Sequence, residues 1–372
     1  MNDVRSVDIY IGTKRGLFIA RSDAARERWR MLPPRLTGYE VYHVSVDPRT
    51  GVVRVATNHR VWGSHIQHSD DRGETWNVPG SSPHHEDERG VDAIWCVTPG
   101  EAARPGRLWA GIEPAGLFVS DDDGASWTPS SLNRHPTSSM WQPAGGALAL
   151  HSLSIDPGNS DRLWCAVSAG GVYRSSDGGR TWDAINAGVR ADFLPGRLPQ
   201  AGQCVHKLRV HPARPDRLYQ QNHCGTYRSD DGGSSWIEIT SNLPTDYGYV
   251  LAIDPSDPDV ACVIPEESSH MRTTADGMLR VFRTRDAGAS WQPLTDGLPQ
   301  TNAYVSLLRE GMDNDTLDPV GYYFGTSGGH VFASRDRGDT WTVIAEWLPR
   351  IISIAAHVVA PVHATAEPAA TA

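Results

Sequence analysis

The chain has no apolar run of 18 residues, so nothing in it reads as a membrane-spanning helix. Its opening, Met1 to Ser6, leads straight into strand-like residues with no apolar leader core, and a cytoplasmic setting is expected. No run of basic residues occurs, and 34 Lys+Arg against 44 Asp+Glu leave a formal charge of −10. Such a surface repels polyanions, so neither a nucleic acid nor an anionic membrane is expected as a partner. Cysteine is scarce: five residues (96, 165, 204, 224, 262), an odd number without C-x-x-C spacing, exclude a disulfide framework and a zinc ribbon. Helical periodicity is also missing, because apolar residues alternate or run for only a few positions between Gly, Pro and Asp.

Present in quantity are 36 glycines, 26 prolines and 13 tryptophans, a composition suited to short strands and tight turns. One turn recurs, S-x-D-x-G-x-x-W. It reads Ser69, Asp71, Gly73, Trp76; Ser120, Asp122, Gly124, Trp127; Ser175, Asp177, Gly179, Trp182; Ser229, Asp231, Gly233, Trp236; and Ser334, Asp336, Gly338, Trp341. Another copy opens with Thr284, and the first is decayed, with Ser22 and Trp29 in place but Ala24 and Arg26 where Asp and Gly belong. Tryptophans 29, 76, 127, 182, 236, 291 and 341 are separated by 47, 51, 55, 54, 55 and 50 residues, the period of one supersecondary unit. The Ser and Asp side chains can cap backbone N–H groups, Gly takes the positive-φ corner, and Trp pins the turn to the sheet.

These residues resemble the Asp-box, or bacterial-neuraminidase, repeat of sialidases, xyloglucan-cleaving endoglucanases, sortilin-type receptors and photosystem assembly factors. The resemblance implies a β-propeller with sugar processing or partner binding as its expected roles. The chain lacks the Arg-Ile-Pro signature of sialidases, offering Leu32-Pro33-Pro34-Arg35, and so departs from a sialidase site. Xyloglucanases of this type pair two propellers across a cleft, and this chain has repeats for one.

Each repeat holds four short strands, as in His151–Pro157, Arg162–Val167, Gly171–Ser175 and Trp182–Ile185. The expected fold is all-β, a single seven-bladed propeller of four-stranded antiparallel blades over residues 1–360, with a disordered tail at 361–372. The first repeat lacks a first strand, and Ile351–Val358 stands where one should follow the last repeat. It is expected to complete blade one and close the ring. Long connections at Pro79–Val91, Pro129–Leu150 and Asn186–Gln203 place function on the face away from the S-x-D-x-G-x-x-W turns.

Counting five residues back from the residue that closes each first strand gives Tyr42, Ala93, His151, His206, Tyr249 and Tyr304 at the channel mouth, with Trp95 two residues past Ala93. Loops between second and third strands add Asn58, His59, Glu113, Asn222, His223, Glu266, Glu267, His270 and Arg272, and Arg309 is the one arginine placed at channel level. Packing alone is the competing reading of such rings. The reading taken is a polar site for a small carbohydrate-like or carboxylated ligand, lined by Tyr42, Trp95, Gln203, Asn222, His223, Tyr249, Tyr304 and Arg309.

Three chemistries compete there. His151, His206 and His223 could hold a divalent metal. Glu113 with Glu266 or Asp192 could form the carboxylate pair of a glycosidase. Cys204 or Cys224 beside His206 or His223 could be nucleophile and base. The expected function is a glycosidase-like hydrolase or lyase with Glu113, His151 and His206 catalytic; the alternative is a non-catalytic platform for a protein partner.

Overall fold

The computed structural model describes residues 5–359 apart from 79, 88–89 and 144–147; the expected tail at 361–372 lies outside the described residues. Alternating short strands and tight turns build seven antiparallel sheets, six four-stranded and one three-stranded. In the three-stranded sheet, blade two (Glu40–Val46, Val53–His59, Gly63–Ser69), the fourth strand is reduced to a single bridge between His68 and Asn77.

The ring closes as the sequence predicts. Ile351–Val359 pairs antiparallel with Ser6–Thr13, whose other neighbour is Gly16–Ser22, and Gly16–Ser22 in turn pairs with the outer strand Trp29–Met31. The closing strand also clasps the blades on either side. Ser353 Oγ donates to Val41 O of blade two (3.3 Å), and the Ile354 N–H donates to Glu310 O of blade seven (2.7 Å). Gly12 allows this seam, because a Cβ there would fall 2.1 Å from Ser353 Oγ and 2.5 Å from Val41 O.

The repeated turn caps itself as its residue types predict. In blade four, Asp177 Oδ1 accepts from the Arg180 and Thr181 N–H groups (3.0 and 2.9 Å) and Asp177 Oδ2 from the Thr181 hydroxyl (2.6 Å), while the Gly179 N–H donates to Ser175 Oγ (2.8 Å). Gly179 has φ +84°. In the decayed first copy Arg26 takes the positive-φ corner (+56°), and Asp23, one position early, accepts from the Glu27 N–H (2.9 Å). The tryptophans also join blades: Trp236 and Trp291 donate Nε1–H to Ile185 O and Ile239 O of the preceding blades, both at 2.7 Å.

Because this network is solvent-facing and remote from the mouth, Asp177→Ala should cost about 1 kcal/mol, the scale of a lost side-chain cap. Denaturant titration reads that loss, and ligand affinity per folded molecule should not move. These acceptor bonds hold Asp177 down at about 2. The depressed carboxylate contributes above its unfolded value and the contribution fades as the pH falls through the folded one.

Candidate functional site at the channel mouth

The first strand of every blade lines the channel; an extra residue interrupts the ladder in blades two to six, and Ile352 does so in the closing strand of blade one. The register skips at Tyr42 in blade two, Trp95 in blade three (Ala93–Pro99), His151 in blade four (Leu150–Asp156), His206 in blade five (Val205–Val210) and Tyr249 in blade six (Gly248–Asp254). A bulge bends the strand and re-aims its side chain. Four of these five residues were reached by counting back from the closing residue; the fifth was not, because blade three closes at Gly100, whose N–H donates to Arg107 O (2.7 Å), and five back from Gly100 is Trp95. Ala93 is a buried ladder residue opposite Glu113.

Blade seven (Met312–Asn314 as its first strand) requires the same correction. It closes at Asp315, whose N–H donates to Gly321 O (3.0 Å), so the equivalent position is Glu310. Tyr304 is instead on the rim, 57% exposed, with its ring over Gly277.

The two histidines at bulges do not open into the channel as catalytic or metal-binding groups together. His151 donates Nε2–H to Val205 O of the next blade (2.9 Å), and its Nδ1 faces Ser152 Oγ (2.9 Å), so both ring nitrogens are engaged. His206 donates Nδ1–H to Gly248 O (2.6 Å) and keeps Nε2 free of backbone partners. In each case the acceptor is the carbonyl just before the neighbouring bulge, and Cys96 Sγ (3.9 Å from Leu150 O) and Ser353 repeat the contact at other seams. The His151–His206–His223 metal set is therefore not assembled. His206 and His223 do meet, ring centroids 5.7 Å apart, but their third neighbour is Cys204. Burial, and after it the Arg309 charge, lower the imidazoles, His151 to about 3 and His206 well below the usual range.

Gln203 and Asn222 are fully buried. Gln203 Nε2 donates to Pro199 O (2.6 Å), and Asn222 Oδ1 accepts from the Cys224 N–H (3.3 Å), so both hold loops rather than face the mouth. Glu266 is likewise inside, Oε1 accepting from the Leu307 N–H (2.8 Å), and burial raises it to about 7. Asp192 is held by Arg190 and by Arg197 (3.0 Å).

Half-buried Tyr42, Trp95, Glu113 and Arg309 do converge with buried Tyr249 between blades two, three, six and seven. Trp95 donates Nε1–H to Glu113 Oε2 (2.8 Å), and its ring meets Tyr42 edge-on at 5.2 Å. The Arg309 guanidinium lies 5.4 Å from the Trp95 ring and 5.2 Å from the Tyr249 ring, sandwiched by two blades. No ion pair to Arg309 occurs among the described residues, and its buried Nε has no hydrogen-bond partner. Burial raises the Glu113 carboxyl above the ordinary range; the Trp95 bond and the Arg309 charge oppose that shift in part.

The sequence reading missed a second carboxylate here. Tyr42 OH donates to Glu40 Oε2 (3.0 Å), and Lys14 pairs with the same oxygen at 2.7 Å. Glu40 and Glu113 thus flank Tyr42, one ion-paired and one desolvated. Also missed was the plug beneath: Lys207 Nζ to Glu310 Oε1 at 2.5 Å, with His43 Nε2 3.8 Å from Glu310 Oε2. Charged residues inside otherwise apolar first strands were the available signal.

The fold and this mouth define a seven-bladed β-propeller with a polar, aromatic opening on the face opposite its repeated turns. No family model matches the chain. Among curated relatives, a xyloglucanase from a Paenibacillus species is 25% identical over 291 residues, covering 68% of this chain and 26% of that protein. An oligoxyloglucan-reducing end-specific xyloglucanase from Emericella nidulans is 22% identical over 259 residues, covering 61% and 30%. The chain spans less than a third of the length of these relatives. Of solved structures, the Niastella koreensis GH74 enzyme superposes with a TM-score of 0.62 at 20% identity over 91% of this chain and 52% of that one. YCF48 with a bound D1 peptide gives 0.55 at 14% identity over 83% and 82%. At these identities the structural likeness establishes the fold. No helix among the described residues is long and apolar enough to cross a membrane.

Proposed function

We propose that the mouth is the site of a carbohydrate-directed hydrolase acting on a small, acidic sugar, within an Asp-box propeller related to the xyloglucanases. The observation that carries this reading is the pairing of a desolvated Glu113 with an ion-paired Glu40 around Tyr42. Glycoside hydrolysis needs a carboxyl group that keeps its proton and a carboxylate that has lost it, and divergent environments separate the two roles. Glu113 is the general acid and Glu40 the anionic partner. Trp95 offers a sugar-stacking ring, and Arg309, held between Trp95 and the buried Tyr249 ring and without an ion-pair partner among the described residues, suits a ligand carboxylate.

Glu113→Gln should lower turnover of aryl glycosides and acidic oligosaccharides roughly a hundredfold or more, the usual contribution of a general acid. The melting temperature should hardly change, since Gln still accepts from Trp95. An acid works only while protonated, so activity should fall as the pH rises through the raised Glu113 value, later than for an ordinary glutamate. Failure of the purified chain to cleave any member of a broad glycoside panel, xyloglucan oligosaccharides included, removes the hydrolase reading.

One observation favours a binding platform instead. Trp62, Phe193, Leu198, Met271, Tyr304 and Trp347 are exposed on connections that all lie on the mouth face, with Trp347 84% and Trp62 66% accessible. Peptide capture by YCF48 fits that picture. A platform keeps its partner when Glu113 becomes Gln, whereas a hydrolase keeps only the ligand.

A further inference from the structure

Cys204, His206 and His223 each offer one donor atom, and the three lie within 4.8 Å of one another. In a tetrahedral zinc site, bonds of about 2.3 Å to sulfur and about 2.0 Å to nitrogen put the sulfur and a nitrogen about 3.5 Å apart. Cys204 Sγ and His206 Nε2 are 3.5 Å apart.

The surroundings support the same geometry. The His206 Nδ1–H bond to Gly248 O fixes the tautomer that leaves the Nε2 lone pair aimed at Cys204, the outer-shell arrangement common to metal-bound histidines. The His223 N–H donates to Cys204 O (2.9 Å), which ties its loop to the strand carrying the thiol. The His223 ring is held edge-on by Phe193 (5.4 Å) and Tyr247 (5.1 Å). Cys204 and His206 are buried and His223 is half-buried, so the group is reached from one side.

We propose that Cys204, His206 and His223 form a binding site for a thiophilic cation, zinc in preference to magnesium or calcium. Binding forms an S–metal bond and releases the Cys204 proton, with no change of oxidation state. Three protein ligands leave a fourth position for solvent or a ligand atom, the count found in catalytic rather than closed structural sites. Sulfur and imidazole select against hard cations. The site is built on blade five, apart from Glu113, and its test reads metal uptake, so it stands or falls independently of the hydrolase reading.

Equilibrium dialysis of the metal-stripped full chain against zinc should give about one ion per chain, and magnesium none. Cobalt in its place should produce a thiolate-to-metal charge-transfer band and the intense visible bands of tetrahedral Co2+. Cys204→Ala should abolish the charge-transfer band, and Cys204→Ala and His223→Ala should each weaken zinc binding at least about tenfold, as loss of a direct ligand exceeds loss of an outer-shell one. His223 is the safer variant, being half-buried on a loop, while His206 also joins two blades. Absence of stoichiometric zinc, a cobalt spectrum without the thiolate band, or undiminished binding by folded His223→Ala protein would overturn the site.

Discussion

Ending the chain at Leu348 should yield protein that does not fold as a stable monomer. The deletion removes Ile351–Val359, the strand that completes blade one. Ile351, Ile352 and Ile354 are all at most 5% exposed, and burying each contributes roughly 1.5–3 kcal/mol. Their combined contribution is comparable to the whole stability of a typical domain, about 5–15 kcal/mol. The cut also leaves Ser6–Thr13 as an open edge and removes the bonds to Val41 and Glu310 that join blades two and seven. Size-exclusion chromatography and thermal denaturation read the result. A monomeric, cooperatively melting product from this truncation would contradict the shared blade; a chain ending at Pro361 is the matched control.

Removing one partner of the buried plug should be almost as damaging. Lys207 and Glu310 are both nearly inaccessible, and Glu310→Ala would leave the ammonium without its counterion. Breaking a buried pair from one side costs about 3–5 kcal/mol, because the remaining charge is neither hydrated nor paired. Replacing both members, as Lys207→Met with Glu310→Leu, should recover most of that loss. Urea titration distinguishes these outcomes, and a cost below about 1 kcal/mol for Glu310→Ala would show that the channel admits enough water to solvate Lys207.

The pair also sets a pH dependence. Burial pushes the Glu310 carboxyl up, but Lys207, His43 and Arg209 pull it further down, so its folded value lies below the ordinary one. A carboxyl depressed on folding stabilises the protein above its unfolded value, about 4.3, and that stabilisation is lost as the pH falls toward the folded one. Acid unfolding of wild type should therefore steepen below about pH 4, and the Lys207→Met, Glu310→Leu protein should lack that component.

The repeat was legible because its information is local. Ser175, Asp177, Gly179 and Trp182 determine a turn within eight residues, and each blade repeats the pattern at a fixed distance. The closing strand was legible as a missing first strand in blade one. The mouth was legible only up to register. A count from the closing residue found Tyr42, His151, His206 and Tyr249, but blades three and seven close at Gly100 and Asp315, and the count there slipped to Ala93 and Tyr304. The roles of His151 and His206 lay outside any local signal. Each ring answers a carbonyl in the next blade, at Val205 and Gly248, and which carbonyls a bulge turns toward a neighbour depends on inter-blade packing. Glu40 was overlooked for a related reason, since its relation to Glu113 runs through Tyr42 and Trp95 on two different blades.

The claim that the mouth receives an acidic sugar is tested most directly by calorimetric titration of Glu113→Gln protein, which keeps the site's shape without its transferable proton. The ligands are a uronic-acid disaccharide and its neutral counterpart. The acidic sugar should bind at least about tenfold more tightly, the equivalent of about 1.4 kcal/mol from one charge-assisted contact. Adding Arg309→Met should erase that preference. Equal affinity for the two sugars, or a preference that survives the loss of Arg309, would contradict the account.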